Sequence, residues 1–313
     1  MNLSKPYLIS SADLSLRDLK LIFEKAKYFG DAPNGTIFDD LKNTSVCTMF
    51  LEPSTRTKIS FELAAKRLSA ITVDFDLAST SYVKGESLLD TIHTLESMGI
   101  EYFISRNTDF GTAKYFAENS KSKILNAGEG SQDHPSQGLL DAYTLIERIG
   151  SLEQLKGKKI CLVGDIKNSR VAKSNFNILS KLGLEISTCS PLEFQLPDSK
   201  FKNYENIEQA LRDNDIMMML RIQRERSETF NKFDFTKQES LEWYRDNFAL
   251  TKDRAIAYPE KLIMHPGPAN FGIEIDKEVE SLQNSLIKQQ VRNGVLIRMA
   301  ILSLLSRASR KNG

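Results

Sequence analysis

Short, almost wholly apolar runs alternate along this chain with segments whose apolar residues recur at helical spacing. Ser45–Leu51 (SVCTMFL) is followed by Phe61, Ala64, Ala65 and Leu68, at i, i+3, i+4 and i+7. Lys158–Val163 is followed by Val171–Leu182 in the same manner. Further short runs stand at Ile71–Phe75, Tyr102–Ile104, 123–126, Leu184–Thr188, Ile216–Leu220 and Leu262–Met264. A run without polar alternation reads as a strand buried on both faces, and such strands belong to parallel sheets covered by helices. The repeated strand–helix order therefore predicts an α/β fold of doubly wound parallel sheets with helices on both faces. At 313 residues two such domains are expected, with the boundary in the 150s after Gly150.

Several function classes fall away. Lys+Arg 42 against Asp+Glu 41 leaves +1, with no basic patch interleaved with aromatics, so no nucleic-acid partner is expected. No run reaches the roughly 20 apolar residues of a membrane span, and Met1–Pro6 lacks the apolar core of a signal peptide. Cys47, Cys161 and Cys189 stand far apart, which fits reduced thiols and a cytoplasmic setting. There is no H-x-x-x-H, paired Cys or carboxylate–His cluster, so no metal is expected. P-loop and G-x-G-x-x-G patterns are absent, so no nucleotide cofactor is expected either. G-x-S-x-G is also missing, which argues against a serine nucleophile.

The chemistry concentrates where predicted strands end. After Leu51 and the break at Glu52-Pro53 comes Ser54-Thr55-Arg56-Thr57, at the first turn of a predicted helix. Ser and Thr are ordinary N-caps, but a cap uses one hydroxyl. Three hydroxyls and a guanidinium beside free backbone N–H groups and the positive helix end favour an anion, phosphate above all. Arg106, Arg170 and Arg221 each follow an apolar run, as does His265-Pro266-Gly267-Pro268. His134 precedes Pro135 at a strand–helix junction, whereas His93 reads as a solvated or capping residue and His265 as shaping its turn. A strand-end cleft lined by these cations and donors suits polyanionic small molecules, such as a phosphate ester together with a dicarboxylate.

Assembled, these residues resemble the carbamoyltransferases, and within them the aspartate-using catalytic chains. The likeness runs through FLEPSTRTKISFELAAKRL, KGESLLDTIHTLESMG, HPSQGLLDAYTL, GDIKNSRVAKSN, LRIQRER, HPGPANFGIEI and QVRNGVLIRMAIL. S-T-R-T with H-P-S-Q marks the superfamily; L-R-I-Q-R-E-R with H-P-G-P points to aspartate. Ornithine-using relatives carry H-C-L-P, and here Pro266 stands at the cysteine position.

The resemblance implies transfer of a carbamoyl group from carbamoyl phosphate to L-aspartate in pyrimidine biosynthesis, without metal or cofactor. It implies a carbamoyl-phosphate-binding domain over 1–149, to which the C-terminal helix of 285–313 returns, and an aspartate-binding domain over 150–284. Ser54, Thr55, Arg56 and Thr57 would hold the phosphate. Thr57, Arg106 and His134 would donate to the carbamoyl oxygen. Gln137 and the carbonyls near Gly267 and Pro268 would position the carbamoyl NH2. Arg170, Arg221 and Gln223 would bind the aspartate carboxylates. Thr80 or Ser81, with Lys84, would enter a neighbouring subunit's site, which implies a homotrimer with shared sites and leaves room for a regulatory chain. Glu52 is expected to pair with Arg170 or Arg226 on closure. Asn107, Ser69 and Phe271 depart from the common pattern, which has His, Gly and Arg there. Another amine acceptor, such as ornithine, and a non-catalytic relative are the competing readings.

Overall fold

The computed structural model describes residues 2–75, 87–197, 200–223 and 237–306. It separates into two compact units, residues 1–143 with 292–313, and residues 144–291. Among the described residues no helix is long and apolar enough to cross a membrane.

The chain runs α1 (Leu16–Asp31), β1 (Ser45–Phe50), α2 (Thr55–Arg67), β2 (Ile71–Phe75), α3 (Leu88–Ser97), β3 (Tyr102–Asn107), α4 (Thr112–Asn119), β4 (Lys123–Glu129) and α5 (Pro135–Ile149). It continues α6 (Leu152–Leu155), β5 (Lys159–Val163), α7 (Arg170–Lys181), β6 (Glu185–Cys189), β7 (Lys202–Tyr204), α8 (Ile207–Asp213), β8 (Ile216–Met219), α9 (Gln238–Phe248), α10 (Lys252–Ala257), β9 (Leu262–Met264) and α11 (Ile287–Ser306). The strands form two parallel sheets flanked by helices, in the orders β2-β1-β3-β4 and β7-β6-β5-β8-β9.

Local chemistry sets the helix ends. Ser15 caps α1, and Asp18 returns a bond to the Ser15 N–H, completing a capping box. Burial alone would raise the Asp18 carboxyl, but hydrogen bonds from Ser15 and Ser4 outweigh it and hold it below its ordinary value. Ser169, Asn206 and Thr251 cap α7, α8 and α10 in the same way. The sheets supply the cores: Cys47, Met49, Phe103 and Ile124 pack with Ile92 and Phe116 in the first unit. In the second, Cys161, Val163, Met217 and Met219 pack with Tyr244 and Phe248.

Two strands run further than apolar content predicts. β3 continues through Ser105 and Arg106, and β4 through Gly128 and Glu129. A polar residue need not end a parallel ladder when its side chain finds partners. Glu129 is buried, and its carboxylate accepts the N–H of Gly111 (3.0 Å) and Ala113 (2.7 Å), capping α4, whose own N-cap is a glycine. α9 and α10 fall where apolar periodicity is thin: α9 buries only Tyr244 and Phe248.

Candidate active site

Each sheet has one point where successive connections leave in opposite directions. In the first it lies between β1 and β3, in the second between β5 and β8. Ligands of doubly wound sheets bind outside the strand C-termini at such a switch point.

In the first unit, β1 runs out at Phe50, and α2 starts at Thr55 after the break at Pro53. Ser54 occupies the N-cap position, yet its side chain makes no capping bond, and the first turn of α2 carries no acidic residue. The hydroxyl is thus not consumed as an ordinary cap, and the first turn of this 13-residue helix brings no carboxylate of its own to its positive end. Thr55 and Arg56 are exposed, whereas Thr57 is buried.

Arg106 sits opposite Phe50 in the ladder between β3 and β1, on the far side of the switch point. Arg106 is 7% exposed, and its guanidinium is already oriented: Nη1 donates to the Ala127 carbonyl (3.1 Å) and Nη2 to Glu52 Oε1 (2.9 Å). Glu52, one residue past Leu51, thereby ties the end of β1 to the end of β3.

His134 follows β4 and immediately precedes Pro135, the first residue of α5, a position where proline's missing N–H costs nothing. The His134 carbonyl accepts the Gln137 N–H (2.9 Å). Asp133 is anchored by Ser10 and Ser11, whose hydroxyls lie 2.8 and 3.0 Å from Oδ2, with the Ser11 N–H at 2.7 Å. That anchor fixes the approach of the chain to His134. Gln137 Nε2 donates to Asp141 (2.9 Å), so its carbonyl oxygen faces elsewhere. Arg298 of α11 is buried, with its guanidinium 5.0 Å over the Phe61 ring. Burial pushes that guanidinium down to about 10, with Asp141 holding it up and Arg106 pushing it further down.

In the second unit, Gly164 ends β5 with φ of 124°, and a Cβ there would lie 2.7 Å from the Leu220 carbonyl oxygen. Only glycine lets the β5 and β8 backbones approach this closely. Asp165 then accepts the Asn168 N–H (3.2 Å) and shapes the loop that delivers Arg170 to the start of α7. Arg221 and Gln223 follow β8, and Gln223 Nε2 donates to the Asn168 carbonyl (2.9 Å). The two sides of this switch point are thus joined by a direct bond. Gly267 and Pro268 follow β9, with Gly267 at φ of 67° and the Gly267–Pro268 bond cis. His265 Nδ1 accepts the Gly267 N–H at 2.8 Å.

The structure therefore gathers Ser54–Thr57, Arg106, His134 and Gln137 at the strand ends of one sheet. It gathers Arg170, Arg221, Gln223, Gly267 and Pro268 at those of the other. Thr80, Ser81, Lys84 and Arg226 lie outside the described residues. His93 is exposed and its Nε2 lies 2.8 Å from the Asn119 carbonyl. Burial pushes the Cys47 and Cys161 thiols up to about 12, and Cys189 higher still, so none supplies a thiolate nucleophile near neutrality. The sequence reading passed over Asn270, Glu274 and Arg298. The available signal was a lone charge inside an apolar stretch, Ile273-Glu274-Ile275 and Ile297-Arg298-Met299.

The first unit matches the family model "Aspartate/ornithine carbamoyltransferase, carbamoyl-P binding domain" over residues 7–147. The companion model, the Asp/Orn binding domain, matches residues 156–305. An aspartate carbamoyltransferase catalytic subunit of Endomicrobium trichonymphae is 41% identical, covering 100% of this chain and 99% of that protein. Its counterpart in Helicobacter pylori is 40% identical over 96% of this chain and 97% of that one. Among solved structures, the catalytic subunit of M. jannaschii aspartate transcarbamoylase superposes with a TM-score of 0.84 at 33% identity, covering 96% and 98% of the two chains. Aspartate transcarbamoylase from Trypanosoma cruzi, bound to N-(phosphonacetyl)-L-aspartic acid, superposes at 0.82 with 27% identity, covering 95% and 94%.

Proposed function

This chain belongs to the aspartate/ornithine carbamoyltransferase family, and we propose that it transfers the carbamoyl group of carbamoyl phosphate to the amine of L-aspartate. The products are N-carbamoyl-L-aspartate and phosphate, a step of pyrimidine synthesis. The observation that carries this reading is the grouping of cations and donors at both switch points, in a chain about 40% identical end to end to aspartate carbamoyltransferase catalytic subunits.

The phosphate of carbamoyl phosphate is assigned to the α2 N-terminus, with Ser54, Thr55, Thr57 and Arg56 as donors. Arg106, His134 and Thr57 receive the carbamoyl oxygen. Gln137 and the carbonyls of Gly267 and Pro268 accept from the carbamoyl NH2. Arg170, Arg221 and Gln223 take the two carboxylates of aspartate, with Lys84 beside them and Thr80 or Ser81 on the phosphate side. The neutral aspartate amine attacks the carbamoyl carbon, and a tetrahedral centre forms with negative charge on oxygen. Phosphate departs with the C–O bond electrons, and one amine proton leaves the nitrogen with the phosphate. No covalent enzyme intermediate is needed.

The main obstacle is electrostatic. Two like unit charges 4 Å apart repel by about 4 kcal/mol at an effective dielectric of about 20, and these substrates carry several. Fixed guanidinium groups remove that penalty, and positioning of the reactants accounts for much of the remaining acceleration. Arg106, held by Glu52 and Ala127 before any substrate arrives, is preorganised for the developing oxyanion.

A homotrimer with shared sites is the proposed assembly. In support, Ile59 and Leu63 of α2 are 56% and 45% exposed, and Ile71 on the edge strand β2 is 58% exposed. The three buried, unpaired cysteines fit the reducing cytoplasm. Steady-state assays with carbamoyl phosphate against aspartate, ornithine and putrescine in parallel test the acceptor. Turnover with aspartate alone is expected; turnover with ornithine alone would reassign the site.

A further inference from the structure

The loop after β9 lies outside any regular ladder, yet it bears the two carbonyls assigned to the carbamoyl NH2. What holds it is a set of side chains around a buried imidazole. The Gly267 N–H donates to His265 Nδ1 at 2.8 Å, so Nδ1 carries no proton. The ring proton is then on Nε2, which lies 3.2 Å from Glu274 Oε1. The same carboxylate oxygen accepts the Asn270 N–H at 2.5 Å. Asn270 Nδ2 donates to the Ile222 carbonyl at 3.0 Å, between Arg221 and Gln223. His265 and Glu274 are 2% and 0% exposed, and the backbone N–H of His265 is fixed by Gln290 Oε1 at 3.0 Å. Gln223 continues the chain of bonds to the Asn168 carbonyl, two residues before Arg170.

We propose that His265, Glu274 and Asn270 form a positioning clamp that holds the Gly267–Pro268 carbonyls and the Arg221–Gln223 segment as one piece. The clamp would keep the carbamoyl amide and the acceptor carboxylates in a fixed mutual register. This rests on the assignment of Gly267, Pro268, Arg221 and Gln223 to substrate. None of the three clamp residues is a catalytic residue; they act through the loop and strand end they join. The geometry suits the task. One carboxylate oxygen ties the two ends of the loop, and a single amide carries that tie across to the neighbouring strand end. Buried and charge-assisted, these bonds resist exchange with water. A displacement of about 1 Å at the reacting centre typically costs about 10²-fold in rate, so a loosened clamp should be visible in turnover.

His265→Asn places an amide oxygen where Nδ1 stands and retains the Gly267 bond, but it cannot reach Glu274. His265→Gln does the reverse, and His265→Ala loses both. The expected order is a rise in KM for carbamoyl phosphate that is largest in the Ala variant, which loses both bonds, and smaller in the Asn and Gln variants, which each lose one. Asn270→Ala, on a partly exposed residue, should raise KM for aspartate about tenfold while leaving KM for carbamoyl phosphate near wild type, since one hydrogen bond is lost and its acceptor left bare. ¹⁵N NMR of the wild-type imidazole should show Nδ1 unprotonated and Nε2 protonated. Amide exchange at Gly267 should quicken in the Ala variant and stay slow in the Asn variant. A ring proton on Nδ1, or kinetic constants of His265→Ala and Asn270→Ala all within twofold of wild type, overturns the clamp. If the wild type transfers no carbamoyl group to aspartate, the functional reading falls instead, and tautomer and exchange alone decide whether the clamp exists.

Discussion

Arg56 and Arg106 carry the same charge to the same assigned substrate, but they stand in different surroundings and should fail differently. Arg56 is exposed on the first turn of α2. Arg106 is buried in β3 and satisfies both Glu52 and the Ala127 carbonyl. Arg56→Ala takes a donor from substrate at an exposed position, so it should lose about 10²–10³ in kcat and cost less stability than the change at buried Arg106. Arg106→Ala should lose at least as much activity and also about 1–3 kcal/mol of stability, because a partly buried carboxylate and a carbonyl lose their donor. Urea unfolding beside kcat separates the two variants; equal stability losses would contradict the difference in burial. The strand-end position of Arg106 was legible in the sequence. Its partner was not, because Glu52 and Arg106 lie 54 residues apart and meet only through the β1–β3 ladder.

At the scale of elements, Gly164 sets how β5 and β8 meet. Its φ of 124° is a region that L side chains rarely adopt, and an added Cβ would press on the carbonyl oxygen of Leu220, a residue whose N–H donates to the Val163 carbonyl at 2.8 Å. Helix or strand propensity gains from alanine are below about 1 kcal/mol and cannot offset backbone strain plus overpacking, each about 1–3 kcal/mol. Gly164→Ala should therefore destabilise the protein by roughly 2–4 kcal/mol in denaturant unfolding. Leu220 immediately precedes Arg221, so the displaced backbone should also raise KM for aspartate more than KM for carbamoyl phosphate. The apolar runs announced β1, β5, β8 and β9 because a strand buried on both faces leaves no polar alternation to confuse the reading. The far ends of β3 and β4 were not legible, since Arg106 and Glu129 look like loop residues until their partners are known. α9 was hidden by its thin apolar face.

At the scale of the molecule, the order of strands could be inferred only as a class, yet the two switch points decide where the chemistry collects. Assembly is the property that a single chain constrains least, and it carries the last prediction. Ile59, Leu63 and Ile71 are large, apolar and roughly half exposed on the first unit, and among the described residues β2 is an edge strand of its sheet. A homotrimer covers such surface, and in the proposed assembly Lys84 of one copy serves the site built on Arg106 and His134 of another. His134→Ala and Lys84→Ala chains should each be nearly inactive alone. When the two are dissociated together and allowed to reassociate, some sites receive both defects and others receive neither, so a measurable share of wild-type turnover returns. Leu63→Asp should reduce the particle to a single chain in sedimentation and remove activity with it, because a charge buried in an apolar interface is costly unless paired. A mixture that stays inactive while sedimenting as mixed trimers would mean that each chain builds its site alone, and the shared-site assembly would have to be given up even with the carbamoyl transfer intact.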